Sequence, residues 1–358
     1  MMVYPLCIRI ERRIGEQIKR ALARLELFDP SRKIMIDDET GMLLIPILKD
    51  PDPEQYAGIS LIGHIDIIAK ALPKSEIPPK SLQETLKDHI PDDLIPTLPK
   101  SFDIIGDILI LEALPESILQ HKGVIANALL SLNSNVRTVL LKVGKVEGKF
   151  RVPKYEFLAG VQKWDTIHVE YGVRLKVDVS QVYFSPRLGT EQQRVALQVS
   201  QGETVLDMFA GVGPFSIMIA KRVTANIISI DLNPYAIELL NANMKLNRLK
   251  GSITPICGDA RVASVPFYGK ADRVIMNLPG HSMGFLEIAS EAIKSNGGMI
   301  HFYTFAAEDP LANAEIIFRE AAEKYLPYYA VRAKRIVKPT APREWQVVLD
   351  VWASVEKI

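Results

Sequence analysis

The chain has 358 residues, 48% of them hydrophobic, and a formal net charge of +1. This length and composition predict a globular protein of two or three domains, and the charge balance excludes attraction of nucleic acid by the surface as a whole, so any such contact needs local basic patches. Two cysteines, Cys7 and Cys257, cannot form a disulfide framework and have no metal-binding spacing. No signal peptide or membrane span is predicted, so we expect a cytoplasmic protein. We also expect a monomer without a metal site.

Residues 1–75 are predicted to form a small α+β module. The stretch PLCIRI alternates as a half-buried strand does, the apolar residues after it recur at helical spacing, and a hairpin follows with Gly41 in its turn. Prolines cluster from residue 49 to about residue 100, and this clustering predicts a linker into the next unit.

Residues 76–186 and residues 187–358 are predicted to form two further domains of different architecture. In the first of these, strand-like stretches such as FDIIGDILILE flank one helical stretch, which is typical of a second α+β domain. After residue 187, strands and helices alternate from TVLDMF to ADRVIMNLP. Such alternation predicts a parallel, doubly wound sheet of the α/β class.

A turn with two glycines, in the stretch DMFAGVGPFS, follows the first strand of that sheet. Gly211 and Gly213 would bring backbone N–H groups and a helix N-terminus to a nucleotide, and Asp231, after the next strand, could accept hydrogen bonds from ribose hydroxyls. Ser216 stands where a dinucleotide site has its third glycine. The alternative role for Asp231 is to cap the following helix, although Asn233 is the better candidate for that cap.

S-adenosylmethionine fits this turn better than NAD does. Asp207 precedes the turn, where it could hold the ammonium group of the ligand, and no pyrophosphate needs neutralising. Asp259, after the third strand, could reach the adenine amino group. We also assign Phe209 and Pro279 to the cofactor site.

The stretch MNLPG follows the fourth strand, at the methyl-transfer position of such a sheet. Asn277 lies there beside a rigid proline, in a variant of the tetrapeptide that marks enzymes methylating a planar nitrogen. A βα turn that merely contains proline is the alternative. Together with the glycine turn, this stretch predicts a Rossmann-like class I methyltransferase domain preceded by two smaller α+β domains.

These motifs, with further stretches from PLCIRI through SPRLGTE to IVKPTAPRE, resemble the archaeal and eukaryotic tRNA (guanine-37 N1)-methyltransferases over nearly the whole chain. The resemblance implies that the N-terminal domain binds the outer corner of the tRNA and that the other two domains hold the anticodon stem-loop. By match to the family's motifs, Arg151, Glu191 and Asn277 occupy catalytic positions, and Tyr183 lies beside the cofactor.

Methylation at N1 of guanine needs a base and a cation, because N1 carries a proton at neutral pH and its loss places negative charge on O6. Glu191 suits the base and Arg151 the donor to O6, while the amide of Asn277 can read the N1/N2 edge. Two structural alternatives stay open. Glu191 could be a first-turn acid that interacts with a helix dipole, and Arg151 could be one more phosphate contact.

Five cations within thirteen residues form the most evident RNA-facing run; besides Arg151 they are Lys142, Lys145, Lys149 and Lys154. A solvated strand face is the ordinary explanation for such a run. A second basic stretch, residues 332–338, is expected along the same groove. Because position 37 of tRNA lies in a loop, its base is already unpaired and costs only unstacking to extrude.

The sequence therefore predicts transfer of a methyl group from S-adenosylmethionine to N1 of guanosine 37 in tRNA. A wyosine-pathway methyltransferase or an aminocarboxypropyltransferase acting on modified guanosine 37 stays open, because Gly280 replaces a larger residue that is common in the family. An NAD-dependent oxidoreductase is disfavoured by Ser216 and by the NLP stretch. A non-catalytic RNA-binding protein is disfavoured because Arg151, Glu191 and Asn277 are all present.

Overall fold

The computed structural model describes residues 5–74, 81–147, 150, 152–354 and 356, and only the backbone of residues 145–147. The chain divides into two compact units, Met1–Lys80 and Ser81–Ile358. Residues 76–186 and 187–358, which we predict as separate domains, thus lie almost wholly within one unit, and the division between them stays a prediction. In the described part of the chain, no helix is both long and apolar enough to cross a membrane.

The first unit is a four-stranded antiparallel sheet with two helices. Its elements in chain order are β1 Leu6–Ile10, α1 Gly15–Arg24, β2 Met35–Ile36, β3 Leu43–Pro46, α2 Pro53–Ser60 and β4 Asp66–Ala69. The strand order is β2-β3-β1-β4. Ile8 of β1, Ile18 and Leu22 of α1 and Ile45 of β3 are fully buried in one core, as the alternating and helical spacings of this segment predict.

The proline-rich stretch from residue 49 to residue 74 is structured, so the prediction of a linker there is wrong. α2 begins at Pro53, because the fixed φ of proline suits the first helical position. The side chain of Asp52 caps this helix by accepting hydrogen bonds from the N–H groups of Glu54 and Gln55. β4 then pairs antiparallel with β1, so this stretch completes the first unit.

The second unit begins with a mixed four-stranded sheet and a separate hairpin. The elements are α3 Leu82–Leu86, β5 Asp103–Ile105, β6 Ile108–Leu111, α4 Lys122–Leu132, β7 Thr138–Glu147, β8 Val152–Gly160, β9 Asp165–Glu170 and β10 Val173–Asp178. The sheet order is β5-β6-β7-β8, in which only β6 and β7 are parallel, and β9 pairs with β10. Ile125 and Leu129 of α4 are buried in the core on this sheet.

The rest of the second unit is built on a seven-stranded sheet. Its elements are α5 Gly189–Gln198, β11 Thr204–Asp207, α6 Pro214–Arg222, β12 Asn226–Asp231, α7 Pro234–Leu246, β13 Ser252–Cys257, α8 Ala260–Ala263, β14 Arg273–Met276, α9 Leu286–Ala292, β15 Gly298–Ala307, α10 Pro310–Tyr325, β16 Tyr328–Ala341 and β17 Glu344–Ser354. The order is β13-β12-β11-β14-β15-β17-β16. The predicted Rossmann-like α/β class is confirmed.

The strand order of this sheet fixes where a ligand can bind. Its first five strands are parallel, whereas β17 runs antiparallel to both β15 and β16. The order reverses between β11 and β14, and ligands of open α/β sheets bind at the carboxyl ends of the strands beside such a reversal. The turns after β11, β12, β13 and β14 therefore meet at one edge.

Candidate active site

A cavity of about 300 Å³ lies at that edge. The turns after the four strands form its walls, with Met208 to Val212, Asp231 to Asn233, Gly258 to Arg261 and Asn277 to Pro279. Aromatic side chains line much of the remainder, namely Phe150, Tyr183, Phe184, Phe209, Phe215, Phe285 and Phe305. Seven of the residues that the sequence predicts for the site line this cavity: Tyr183, Phe209, Gly211, Asp231, Asp259, Asn277 and Pro279.

The two glycines of the turn after β11 differ in what requires them. Gly211 has φ 54° and donates its N–H to Asp231 Oδ2 at 2.7 Å, and a Cβ built there would meet no atom within 4 Å. Gly213 has φ 86° and is absent from the cavity lining; its Cβ would lie 2.2 Å from Cδ1 of Leu240. Gly211 thus leaves room for a ligand, whereas position 213 requires glycine both for its left-handed backbone and for its close contact with Leu240, on α7.

Asp231 ends β12 and faces the glycine turn. Its Oδ2 accepts the N–H of Gly211, and its Oδ1 accepts the N–H of Asn233 at 2.8 Å. Burial raises the pKa of this carboxyl group, although the backbone hydrogen bonds oppose the shift. Asn233, not Asp231, caps α7 by accepting the N–H of Tyr235 at 3.0 Å, as expected from the sequence.

Asp207, to which the sequence assigned an ammonium group, is fully buried and does not line the cavity. Its Oδ2 accepts a hydrogen bond from Ser216 Oγ at 2.7 Å, and Ser229 Oγ donates to Ser216 Oγ at 2.8 Å. Burial, reinforced by the charge of Asp231, raises the pKa of Asp207 to about 7. The assignment of Asp207 to the ammonium group of the cofactor is therefore corrected. Its side chain lies beneath the turn and bonds to Ser216 of α6, the residue at the position where a dinucleotide site has its third glycine.

Asp259 and its neighbours form the wall after β13. Asp259 caps the short helix α8 and accepts hydrogen bonds from the side chain of Arg261 at 3.0 and 2.9 Å. The guanidinium of Arg261 lies over the ring of Phe285 at 5.2 Å, and that ring meets Phe209 edge to face at 4.9 Å. This ion pair and these ring contacts fix the side chains at the end of the cavity where adenine is predicted to bind.

Asn277 follows the last residue of β14 and lines the cavity. Its Oδ1 accepts a hydrogen bond from Nε2 of Gln346, on β17, at 3.0 Å. The turn itself is held by Ser282, whose hydroxyl donates to the carbonyl oxygens of Met276 and Leu278 at 3.1 and 2.9 Å. No local pattern in the sequence points to Gln346, because its contact with Asn277 depends on the order of the strands.

Glu191 lies in the first turn of α5, is 3% exposed and is not among the residues that line the cavity. Arg194 donates to both of its carboxylate oxygens at 2.8 Å, and Tyr303 Oη donates to Oε1 at 2.7 Å. The adjacent Gln192 does line the cavity. The structure therefore sets the predicted base directly behind the wall, in a position that also suits a first-turn helix acid.

The predicted RNA-facing cations are only partly described. Lys149 and Arg151 lie outside the described residues, as does the side chain of Lys145. Lys142 pairs with Glu112 at 2.8 Å, and Lys154 is exposed.

Phe150 and Lys338 are among the lining residues that the sequence analysis did not assign to the site. Phe150, the described residue next to Arg151, lines the cavity. Lys338 also lines it and donates to Ser185 Oγ at 2.9 Å; burial, with help from the charge of Arg187, lowers its pKa. The basic stretch at residues 332–338 was the signal for Lys338. Among the described side chains, no group of three or more His, Cys, Asp or Glu residues could hold a metal ion.

Three family models match successive parts of the chain. The model described as "TRM5/TYW2 methyltransferase domain" matches residues 166–329, "TYW2 N-terminal domain" matches residues 82–163, and "tRNA methyltransferase 5 N-terminal domain" matches residues 7–55.

Similar proteins cover nearly the whole chain. The tRNA (guanine(37)-N(1))-methyltransferase Trm5b of Pyrococcus abyssi is 39% identical, with 98% of this chain and 99% of that protein covered. The Trm5b of Methanocaldococcus jannaschii is 38% identical, with 97% and 98% covered. A solved structure titled as the complex of aTrm5 and tRNALeu has 37% identity and a TM-score of 0.79, with 98% of this chain and 100% of that chain covered.

A second group of similar proteins includes an enzyme named for a wyosine intermediate. The tRNA(Phe) (4-demethylwyosine(37)-C(7)) aminocarboxypropyltransferase of Pyrococcus horikoshii is 32% identical, with 75% of this chain and 95% of that protein covered. A structure of P. horikoshii TYW2 in complex with MeSAdo has 30% identity and a TM-score of 0.65, with 77% of this chain and 98% of that chain covered.

Proposed function

This chain belongs to the TRM5/TYW2 methyltransferase family, and from that premise we propose that it transfers a methyl group from S-adenosylmethionine to N1 of guanosine 37 in tRNA. The observation that carries the proposal is that Asn277 lines the same cavity as Gly211 and Asp231. The amide that can read the edge of a guanine thus lies beside the turn suited to a nucleoside. The two most similar relatives described above are named for this reaction.

The residues of the cavity fit this cofactor. The open space at Gly211 admits a ligand close to the backbone, and each oxygen of Asp231 that accepts a backbone N–H keeps a lone pair for a ribose hydroxyl. The aromatic lining excludes water from the apolar parts of the ligand. S-adenosylmethionine supplies the methyl group when it is bound. Asp207 is not a contact in this proposal, and Asp259 serves the adenine end.

The chemistry at guanine N1 is assigned to three side chains. Glu191 removes the N1 proton, Arg151 donates to O6 as negative charge develops there, and Asn277 holds the N1/N2 edge. Because Glu191 is 3% exposed, does not line the cavity and binds Arg194 through both oxygens, its carboxylate must move toward the base when tRNA binds. Tyr183 lies beside the cofactor in this arrangement.

The tRNA is the macromolecular partner in this proposal. The first unit, which has its own core, binds the outer corner of the tRNA, while Lys142, Lys145, Lys149 and Lys154 meet the phosphates of the anticodon stem-loop. The protein works as a monomer in the cytoplasm.

Nucleoside mass spectrometry tests the proposed reaction. An unmodified tRNA transcript with guanosine at position 37 is incubated with the protein and S-adenosylmethionine and then digested to nucleosides. We expect N1-methylguanosine from this transcript and none from a matched transcript with adenosine at position 37. A product carrying an aminocarboxypropyl group, or reaction only with a tRNA that already carries 4-demethylwyosine, would favour the second group of relatives instead.

Deletion of the first unit tests the division of labour on the tRNA. A chain beginning at Ser81 should keep its affinity for S-adenosylmethionine and lose more affinity for full-length tRNA than for an isolated anticodon stem-loop. Equal proportional losses for the two RNAs would show that the first unit does not read the corner of the tRNA.

A further inference from the structure

Glu191 belongs to a buried chain of charged side chains that extends from α5 across the large sheet. Arg194 binds Glu191 and also Asp350, on β17: its Nη1 donates to Asp350 Oδ2 at 2.5 Å, and its Nη2 to Oδ1 at 3.0 Å. Asp350 Oδ1 in turn lies 2.7 Å from Nδ1 of His301, on β15. Glu191 and Asp350 are 3% and 4% exposed. One cation is therefore shared by two carboxylates that water barely screens.

Other ionisable groups face this pair from the neighbouring strands. Tyr303, on β15, donates its hydroxyl to Glu191 Oε1 at 2.7 Å, and Arg335, on β16, has its Nε 3.9 Å from Glu191 Oε2. On the far side, Arg273 of β14 lies 2.8 Å from Nε2 of His301 and pairs with Glu203 at 2.9 Å. Because a guanidinium can only donate, Nε2 of His301 accepts from Arg273 and Nδ1 donates to Asp350. Asp350 thus balances the charge of Arg194, whereas Arg273 has Glu203 as its own partner.

The charge of Asp350 is secured by these contacts. Burial alone would raise the pKa of Asp350, but the hydrogen bonds from His301 and Arg194 hold it well below its ordinary value. Burial lowers the pKa of His301, in opposition to Asp350. Asp350 is therefore ionised throughout the neutral range, and Arg194 always has a counter-ion besides Glu191.

We propose that Asp350 is a positioning residue for the general base: by sharing Arg194, it keeps Glu191 basic and leaves the guanidinium paired after Glu191 becomes neutral. This inference rests on the proposed function, in which the N1–H bond breaks and its proton passes to a Glu191 oxygen. The N1 electron pair then forms the bond to the methyl carbon, and the carbon–sulfur bond breaks with its pair left on sulfur. Without Asp350, that proton transfer would leave the partly buried Arg194, 18% exposed in its side chain, without a counter-ion, which is costly.

The pH dependence of the single-turnover rate tests this role. With protein in excess over unmodified tRNA and saturating S-adenosylmethionine, the parent rate should rise with pH through one ionisation and then level off, because the general base must be deprotonated. In Asp350→Asn the full charge of Arg194 acts on Glu191 and favours its carboxylate form, so the rise should move to lower pH by about one unit. The weaker base should also lower the plateau rate by roughly two- to tenfold.

Tyr303→Phe supplies a shift of the opposite sign. The hydroxyl of Tyr303 donates to a carboxylate oxygen of Glu191 and favours the charged form of that side chain, so its removal should move the rise to higher pH. If the two substitutions only loosened the structure, methyl transfer would be slower in both variants, but the rise in rate would occur at the same pH in both. Asp272→Asn removes a carboxylate that lies just before β14 and pairs with Lys294, and this variant should keep the parental profile.

Folding of each variant is checked by its melting temperature and by calorimetric titration with S-adenosylmethionine. If Asp350→Asn does not fold, Asp350→Ser, which leaves space for a water beside Arg194, is the second charge-free variant, with the same expected shift. A rise at the parental pH or at higher pH in the folded variant overturns the role of Asp350. Parental rates in Glu191→Gln would overturn both the role of Asp350 and the assignment of Glu191 as the base. Absence of N1-methylguanosine from the reaction of the parent protein would overturn the proposed function as well.

Discussion

The cofactor end of the cavity and the cluster around Glu191 are built in opposite ways on the same sheet. At the cofactor end, backbone N–H groups, one acid and aromatic side chains surround open space, and the bonded residues Gly211 and Asp231 are 20 positions apart in sequence. Around Glu191, charged side chains from α5, β15 and β17 fill the interior, and Arg194 and Asp350 are 156 positions apart. The first region can receive a ligand, while the second is already filled by its own partners.

This difference teaches what a substitution can change in each region. Because the cofactor end is shaped by backbone and by lone pairs left open for a ligand, changes there should act on affinity. Because the Glu191 cluster makes paired contacts inside the fold, changes there should act on proton transfer, with the cofactor affinity kept. Four predictions test this separation, in order of decreasing expected effect.

Glu191→Gln should slow single-turnover methyl transfer by roughly 10²–10⁴-fold, the usual contribution of a general base. The amide keeps the shape of the side chain but cannot accept the N1 proton. Affinity for S-adenosylmethionine, measured by calorimetry, should stay at the parental value, and the exposed Glu238→Gln variant is the matched control for loss of one charge. A parental rate with an unchanged pH profile would leave Glu191 as a first-turn helix acid.

Asp207 should make the stability of the fold depend on pH between its two pKa values. Its pKa of about 7 in the folded chain lies above the ordinary 3.8, so the folded state binds the proton more tightly. Relative to Asp207→Asn, the parent should lose on the order of 4 kcal/mol of unfolding free energy as pH rises from about 4 to about 7, with no further loss above.

Denaturant unfolding of both proteins across this pH range measures the difference. A difference that stays constant with pH would show that Asp207 is not a protonated buried acid. Asp207 would then be an ionised group available to bind the ammonium group of the cofactor.

Asp231→Ala should weaken binding of S-adenosylmethionine by roughly 1.5–3 kcal/mol, because charge-assisted hydrogen bonds to ribose are lost. Affinity for tRNA should stay nearly constant. Asp259→Ala should cost less, since Arg261 already takes up both oxygens of that carboxylate. Calorimetric titration ranks the two variants, and equal affinity in Asp231→Ala and the parent would remove Asp231 from the cofactor site.

Lys154→Gln should weaken tRNA binding modestly and reduce the slope of log affinity against log salt by about one, as expected for one phosphate contact. Lys142→Gln should change the slope less, because Glu112 lies 2.8 Å from its ammonium group. Binding titrations over a range of salt concentrations measure both slopes. Unchanged slopes in both variants would make this run a solvated strand face.

Features that depend on neighbours in the chain could be predicted from the sequence. The alternation of strands and helices after residue 187 predicted the α/β sheet, and the glycine turn with Asp231 predicted the cofactor end, because each belongs to one strand–turn–helix unit. The cap at Asn233 was predicted for the same reason. The proline-rich stretch misled the prediction, since proline at a helix start is compatible with structure and Pro53 begins α2.

Only the tertiary structure decided which distant residues meet. The insertion of β17 between β15 and β16 brings Gln346 to Asn277 and Asp350 to Arg194, and strand order has no signature in the local pattern of residues. Burial likewise decided that Asp207 bonds to Ser216 beneath the turn instead of facing the cavity. The physical reason is the same in each case: the free energy of a charged or polar side chain depends on partners that the fold, and not the neighbouring sequence, brings within hydrogen-bond distance.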